Sequence, residues 1–148
     1  MKVKYLDKFY VAGLTVRTNN KIELDEQEAK IPDLCQRYLD ENIERKTFNK
    51  SKSMAMYGVY NKYENDVNSD YDYTIGVEVT KAKNAITIEK DKYLVFSKEG
   101  EIPEVVIETW KDIWNYFASE NCEYERSYNF DFEKYEKEDE IEIYISIK

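Results

Sequence analysis

Histidine is absent from this sequence of 148 residues, and cysteine (2), proline (2) and glycine (4) are scarce. Without an imidazole there is no Ser-His-Asp or Cys-His catalytic unit and no histidine-bound metal, so any catalysis must rest on carboxylate, tyrosine or lysine. Cys35 and Cys122 lie far apart and read as reduced thiols rather than a disulfide framework, and two cysteines cannot build a structural zinc site alone. No metal and no cofactor are expected. No stretch approaches the roughly 18 apolar residues of a membrane helix, and the opening MKVKYLDKFY lacks the uninterrupted apolar segment of a secretory leader. The chain therefore reads as soluble and cytoplasmic, with no membrane contact. A basic stripe is missing too. The 22 basic residues are outnumbered by 31 acidic ones, giving a net charge of −9, and lysines are interleaved with carboxylates. With no helix-turn-helix pattern either, a direct nucleic-acid partner is not expected, and cationic ligands or basic proteins fit better.

What the sequence has in plenty is tyrosine: 14, beside 6 phenylalanines and 2 tryptophans. The length and a hydrophobic content of 42% suit one domain over residues 1–148. Residues 9–17, FYVAGLTVR, read as a strand. Ile31, Leu34, Cys35, Tyr38 and Leu39 then recur at helical spacing, with Pro32 suited to a first turn. A polar, lysine-rich connection over 44–53 leads to two strands, 54–63 and 71–80, joined by the turn-forming ENDVNSD. A short strand at 85–89 and one at 93–97 follow. Pro103, flanked by Glu101 and Glu104, marks a second helix start, and Val106, Trp110, Ile113, Trp114 and Phe117 form its apolar face. Strands at 129–136 and 141–147 close the chain. In the last, Ile141, Ile143, Ile145 and Ile147 share a buried face. The element order is β-α-β-β twice, with pseudo-repeats over about 7–80 and 85–148. An α+β fold follows, with two helices packed on one antiparallel sheet and a cleft between the halves.

These segments resemble the GyrI-like small-molecule-binding domains, the effector-binding domains of bacterial transcription activators. The resemblance is carried by YGVYNKY (57–63), YDYTIGVEV (71–79), YLVFSKEG (93–100), TWKDIWNYF (109–117), FDFEKY (130–135) and IEIYISIK (141–148), in that order. It implies the same duplicated β-α-β-β fold. It also implies a cleft of aromatic side chains around one acid, which Glu133 matches, for bulky and often cationic aromatic molecules. Members of that family occur fused to DNA-binding domains, or as free-standing proteins that sequester compounds. Some free-standing ones resemble hydrolases of strained cyclopropane-bearing toxins. This chain is expected to be free-standing.

Alternation puts Glu133 on a face with Asp131 and Tyr135 and away from Phe132. A strand glutamate is ordinarily solvated; the resemblance reverses that preference. A carboxylate ringed by aromatic faces attracts a lipophilic cation by charge and by cation-π contact of roughly 0.5 to 2 kcal/mol per ring. Aligning Tyr57–Tyr60 with Phe132–Tyr135 sets Gly58 opposite Glu133 and makes Tyr60 and Tyr135 symmetric cleft walls, with Tyr57, Tyr73 and Tyr93 as further ligand contacts. Tyrosines on strands also serve as half-buried packing residues. Trp110 is the aromatic platform by its match to the family, and Trp114 is assigned to the core. Glu78 is a second acidic contact or an exposed salt-bridging residue. Three functions follow. The first is a multidrug receptor or sequestering protein for hydrophobic cations. The second is a hydrolase in which Glu133 activates water as general base and Tyr135 or Tyr60 assists. The third is an acidic interaction module meeting a regulator or a gyrase subunit.

Overall fold

The computed structural model describes all 148 residues, Met1–Lys148. The first half contains β1 (Lys2–Leu6), β2 (Phe9–Thr18), the one-turn helix α1 (Asn20–Glu23), α2 (Ile31–Asp40), the one-turn helix α3 (Ile43–Lys46), β3 (Met56–Asn61) and β4 (Tyr71–Val79). The second contains β5 (Ile86–Ile88), β6 (Asp91–Glu99), α4 (Glu104–Ala118), β7 (Asp131–Lys137) and β8 (Glu140–Ser146). All eight strands form one sheet in the order β1-β6-β8-β7-β3-β4-β2-β5. The duplicated unit is visible in that order. β2-α2-β3-β4 and β6-α4-β7-β8 mirror one another about the antiparallel pair β3·β7, in which Gly58 lies opposite Glu133.

The strand β1 was not expected. Its residues, KVKYL, alternate lysine with apolar side chains over only five positions, and it is held as an edge strand by pairing with β6 from Lys2↔Val95 to Leu6↔Asp91. The short β5 occupies the opposite edge, paired with Phe9–Val11 of β2.

Both helices lie on one face of the sheet. The α2 stripe buries Leu34 and Tyr38 against Tyr71, Tyr73 and Ile75 of β4. In α4 the buried row is Val105, Thr109 and Ile113, which shares Ile113 with the expected stripe and packs on Ile141, Ile143 and Ile145, with Val106, Trp110 and Phe117 of that stripe partly buried against the same cluster. Thr109 is satisfied there by donating its hydroxyl to the Val105 carbonyl at 2.7 Å. Each buried isoleucine contributes about 1.5 to 3 kcal/mol. The other face has a core without any helix: Val11, Tyr57, Val59, Tyr93, Val95, Phe132 and Tyr144 are buried together. The sheet curls around it. Phe9 on β2 meets Phe132 on β7 at 5.5 Å between ring centroids, although β3 and β4 lie between those strands in the sheet. No helix is long and apolar enough to cross a membrane.

Candidate functional site

Pairing β3 with β7 brings Glu133 beneath the helix face of the sheet, where it is only 4% exposed. Its Oε2 accepts hydrogen bonds from the Tyr60 hydroxyl at 2.7 Å and the Trp110 indole N–H at 2.7 Å. Its Oε1 accepts from the Tyr135 hydroxyl at 2.8 Å and the Tyr73 hydroxyl at 3.3 Å. Four donors fill the roughly four lone-pair sites of a carboxylate, and all four are neutral. No ion pair reaches Glu133. Burial pushes its carboxyl above the usual 4.5, and the hydrogen bonds from Trp110, Tyr60, Tyr135 and Tyr73 pull it only part of the way back. The phenols respond in turn. Tyr60, Tyr73 and Tyr135 are raised well above 10 by burial and then by the Glu133 charge, so they remain protonated donors.

A glycine opposite the carboxylate is a steric requirement. A Cβ at Gly58 would stand 2.8 Å from Glu133 Oε1 and would collide with the Tyr73 hydroxyl. One half of the duplicated fold thus supplies the acid and the other supplies the space for it.

Above this carboxylate lies a cavity of about 160 Å³, lined by Tyr60, Tyr63, Tyr71, Trp110 and Trp114 among others. The rings form a continuous wall: Tyr60 meets Trp110 at 5.2 Å and Tyr71 at 5.2 Å, and Trp110 meets Trp114 at 6.1 Å. Leu24 and Ile107 form an exposed apolar rim. Tyr60 and Trp110 touch both the cavity and Glu133, so they link the cavity to the buried charge.

Two residues before Glu133 on the same strand face, Asp131 is fully buried and meets a cation instead. Arg126 Nη2 donates to Asp131 Oδ2 at 2.6 Å, the Tyr63 hydroxyl donates to the same oxygen at 2.5 Å, and Ser146 donates its backbone N–H to Oδ1 at 2.8 Å. The Arg126 guanidinium is flanked by Tyr128, 4.4 Å from the ring centroid. At the mouth, Glu23 Oε2 accepts from Thr18 at 2.6 Å, and its two oxygens accept the backbone N–H groups of Lys30 and Ile31 at the start of α2.

Of the residues expected to form the site, Glu133, Tyr135, Tyr60, Tyr73 and Trp110 come together. Tyr57 and Tyr93 do not. They are corrected to the opposite face, packed with Phe132 and Tyr144, because Tyr57 is odd in phase with Gly58 and Tyr60, and Tyr93 with Leu94. Glu78 lies on that opposite face as well, accepting from the Tyr57 hydroxyl at 3.5 Å. Trp114, assigned to the core, lines the cavity instead, since the Val105–Thr109–Ile113 row takes the core contact and turns Trp114 toward the cleft. Tyr71 was missed although its spacing of two from Tyr73 signalled the same face. Glu23 and Arg126 lie in connections without periodicity and gave no signal, while Tyr63, inside the expected strand 54–63, is odd in phase with Tyr60 and reaches the cleft because β3 ends at Asn61 and the chain turns at Lys62. Cys35, half-buried near Tyr73, is pushed up to about 11 by burial and by the Glu133 charge, so it is an unreactive thiol. No three Cys, Asp or Glu side chains gather as metal ligands.

Comparison with known proteins gives one family. The Cass2 model, described as integron-associated effector binding protein, matches residues 2–147. The Bacillus subtilis (strain 168) protein YobU, which carries a transcriptional-regulator name, is 28% identical over 159 residues, covering 99% of this chain and 96% of YobU. The integron cassette protein VCH_CASS2, from the mobile metagenome of Vibrio cholerae, is 31% identical and superposes with a TM-score of 0.86 over 99% of this chain and 95% of that one. SAV2435, solved bound to tetraphenylphosphonium, shares the fold at 18% identity and a TM-score of 0.77, over 99% and 93% of the two chains.

Proposed function

The chain belongs to the Cass2 family of integron-associated effector binding proteins, and we propose that within this family of small-molecule-binding effector domains it binds bulky, hydrophobic, aromatic cations in the cleft above Glu133. One observation carries the reading. A carboxylate that is 4% exposed, with neutral partners only, sits against an aromatic cavity. Burying such a charge is costly unless something compensates it. A delocalised cation over Tyr60, Trp110 and Trp114 compensates it without needing a hydrogen bond, since its charge interacts with the carboxylate through space and with the ring faces directly. That SAV2435 binds tetraphenylphosphonium on the same fold supports this choice of ligand class. Leu24 and Ile107 would extend the apolar contact for a ligand larger than the cavity.

The hydrolase reading is less favoured by the geometry. A general base needs a free lone pair within reach of water, and the four donors occupy both Glu133 oxygens.

Titration of tetraphenylphosphonium against the wild type and Glu133→Gln, followed by tryptophan fluorescence, tests the proposal. At a separation of about 6 Å and an effective dielectric of about 20, the lost attraction is on the order of 3 kcal/mol, about a hundredfold in affinity. Neutral triphenylphosphine oxide should bind both proteins alike. Equal affinity of both proteins for the cation would overturn the reading.

A further inference from the structure

Away from the cleft, two stretches rich in cations meet near one edge of the sheet, three of their lysines around one groove. Arg45, Lys46, Lys50, Lys52, Lys81 and Lys83 come from two stretches, 45–54 and 79–88, that contain no acidic residue. All six are exposed and none forms an ion pair. The other 16 basic residues are outnumbered by 31 carboxylates, so these stretches stand out against a strongly negative remainder. The two stretches are tied together by the backbone: Thr80 donates its N–H to the Asn49 carbonyl at 2.9 Å, and Ser51 donates to Glu78 at 3.0 Å.

Between them runs a groove of about 480 Å³ whose charged lining is Lys46, Lys81 and Lys83, and whose floor includes Ala12 and Gly13 of β2. That floor is a free strand edge. β2 pairs with β4 along its length, but on its other side β5 covers only Phe9–Val11. From Ala12 onward, the outer edge of β2 has no neighbouring strand. Phe48, which lines the same groove, is 85% exposed.

We propose that this edge is a docking site for an extended acidic segment of another protein, added as a further strand beside β2 with its carboxylates on Lys46, Lys81 and Lys83 and an apolar side chain on Phe48. Strand addition supplies main-chain hydrogen bonds for affinity, while alternate side chains supply selection. The alternatives fit less well. A second copy pairing through the same edge would bring these lysines against one another, and lysines along an edge oppose that kind of self-association. A bilayer is too flat to enter the groove. Duplex nucleic acid would carry its phosphates past the groove onto the acidic remainder, and a phosphate backbone gains nothing from Phe48.

The test uses a fluorescein-labelled peptide of alternating Glu and Val, read by fluorescence anisotropy. Controls are the same peptide N-methylated at every residue, its Lys-Val counterpart, a labelled DNA duplex and labelled phosphatidylserine vesicles. The Glu-Val peptide should bind and slow amide exchange at Ala12–Val16. Reversing the three groove charges, as Lys46→Glu, Lys81→Glu and Lys83→Glu together, should weaken it by about tenfold or more, because three surface attractions become repulsions. N-methylation should abolish binding, since the ladder cannot form. Circular dichroism checks that the variant is folded, and the milder Lys81→Gln, Lys83→Gln pair should give an intermediate loss. Four outcomes would overturn the proposal: no peptide binding at millimolar concentration, equal binding by the charge-reversed protein, tighter binding of the duplex or the vesicles, or self-association through this edge in sedimentation.

Discussion

Asp131 and Glu133 sit two residues apart on one strand, point to one face and are almost wholly buried, yet their charges are met by opposite means. Asp131 has a guanidinium at 2.6 Å and belongs to the architecture, tying the connection before β7 to the sheet. Glu133 has only hydroxyls and an indole, which orient and partly solvate a charge but leave it uncancelled. The protein has built one closed ion pair and one buried carboxylate held by neutral donors alone. Under the proposed function, the difference separates a residue that holds the fold from one that meets a cationic ligand.

The largest effect should come from breaking the closed pair. Arg126→Ala leaves Asp131 buried and unpaired, and is expected to lower stability by about 3 to 5 kcal/mol in urea unfolding. Next comes Glu133→Gln, whose expected hundredfold loss of tetraphenylphosphonium affinity should be accompanied by little change in stability, within about 1 kcal/mol, since no ion pair is broken. If both variants unfold alike, the contrast between the two carboxylates is lost. Gly58→Ala presses a methyl group onto Glu133 Oε1 and the Tyr73 hydroxyl. It should cost about 1 to 3 kcal/mol of stability by overpacking and should weaken cation binding in the same titration.

A smaller effect sharpens the role of the indole. Trp110→Phe keeps an aromatic wall but removes one of the four donors, so Glu133 should titrate at higher pH than in the wild type, with a stability loss of about 1 to 2 kcal/mol. Carboxyl NMR of Glu133 reads that shift. The smallest is the pH dependence itself. Folding raises Glu133 above its ordinary 4.5, so as pH falls through the raised value the folded chain takes up a proton before the unfolded chain does. Within the window down to 4.5 this group therefore adds stability as pH falls, the reverse of a carboxylate held by a salt bridge. Cation affinity should fall through the same window. A flat affinity profile there in the wild type, matching that of Glu133→Gln, would contradict the assignment of the charge.

How much of this was legible in the sequence differs from residue to residue. Ile141, Ile143 and Ile145 announced a strand and its buried side by alternation alone, and Gly58 opposite Glu133 followed from aligning the two halves. Trp114 misled because helical spacing reports which residues share a stripe, but not whether the stripe meets a sheet or a cleft. Tyr57 and Tyr93 were drawn into the site by residue type against their own phase. β1 stayed hidden because an edge strand needs no apolar face of its own when a neighbour's ladder holds it.

The sequence by itself determined the doubled β-α-β-β unit and the exclusion of histidine chemistry, because periodicity and composition are local properties of the chain. Only the tertiary structure decided that Glu133 gathers donors from β3, β4, α4 and β7, that Arg126 closes on Asp131, and that three lysines from two distant stretches line one groove. Burial and charge pairing depend on which segments meet in space, and that is set by packing across the whole sheet rather than by any stretch of neighbouring residues.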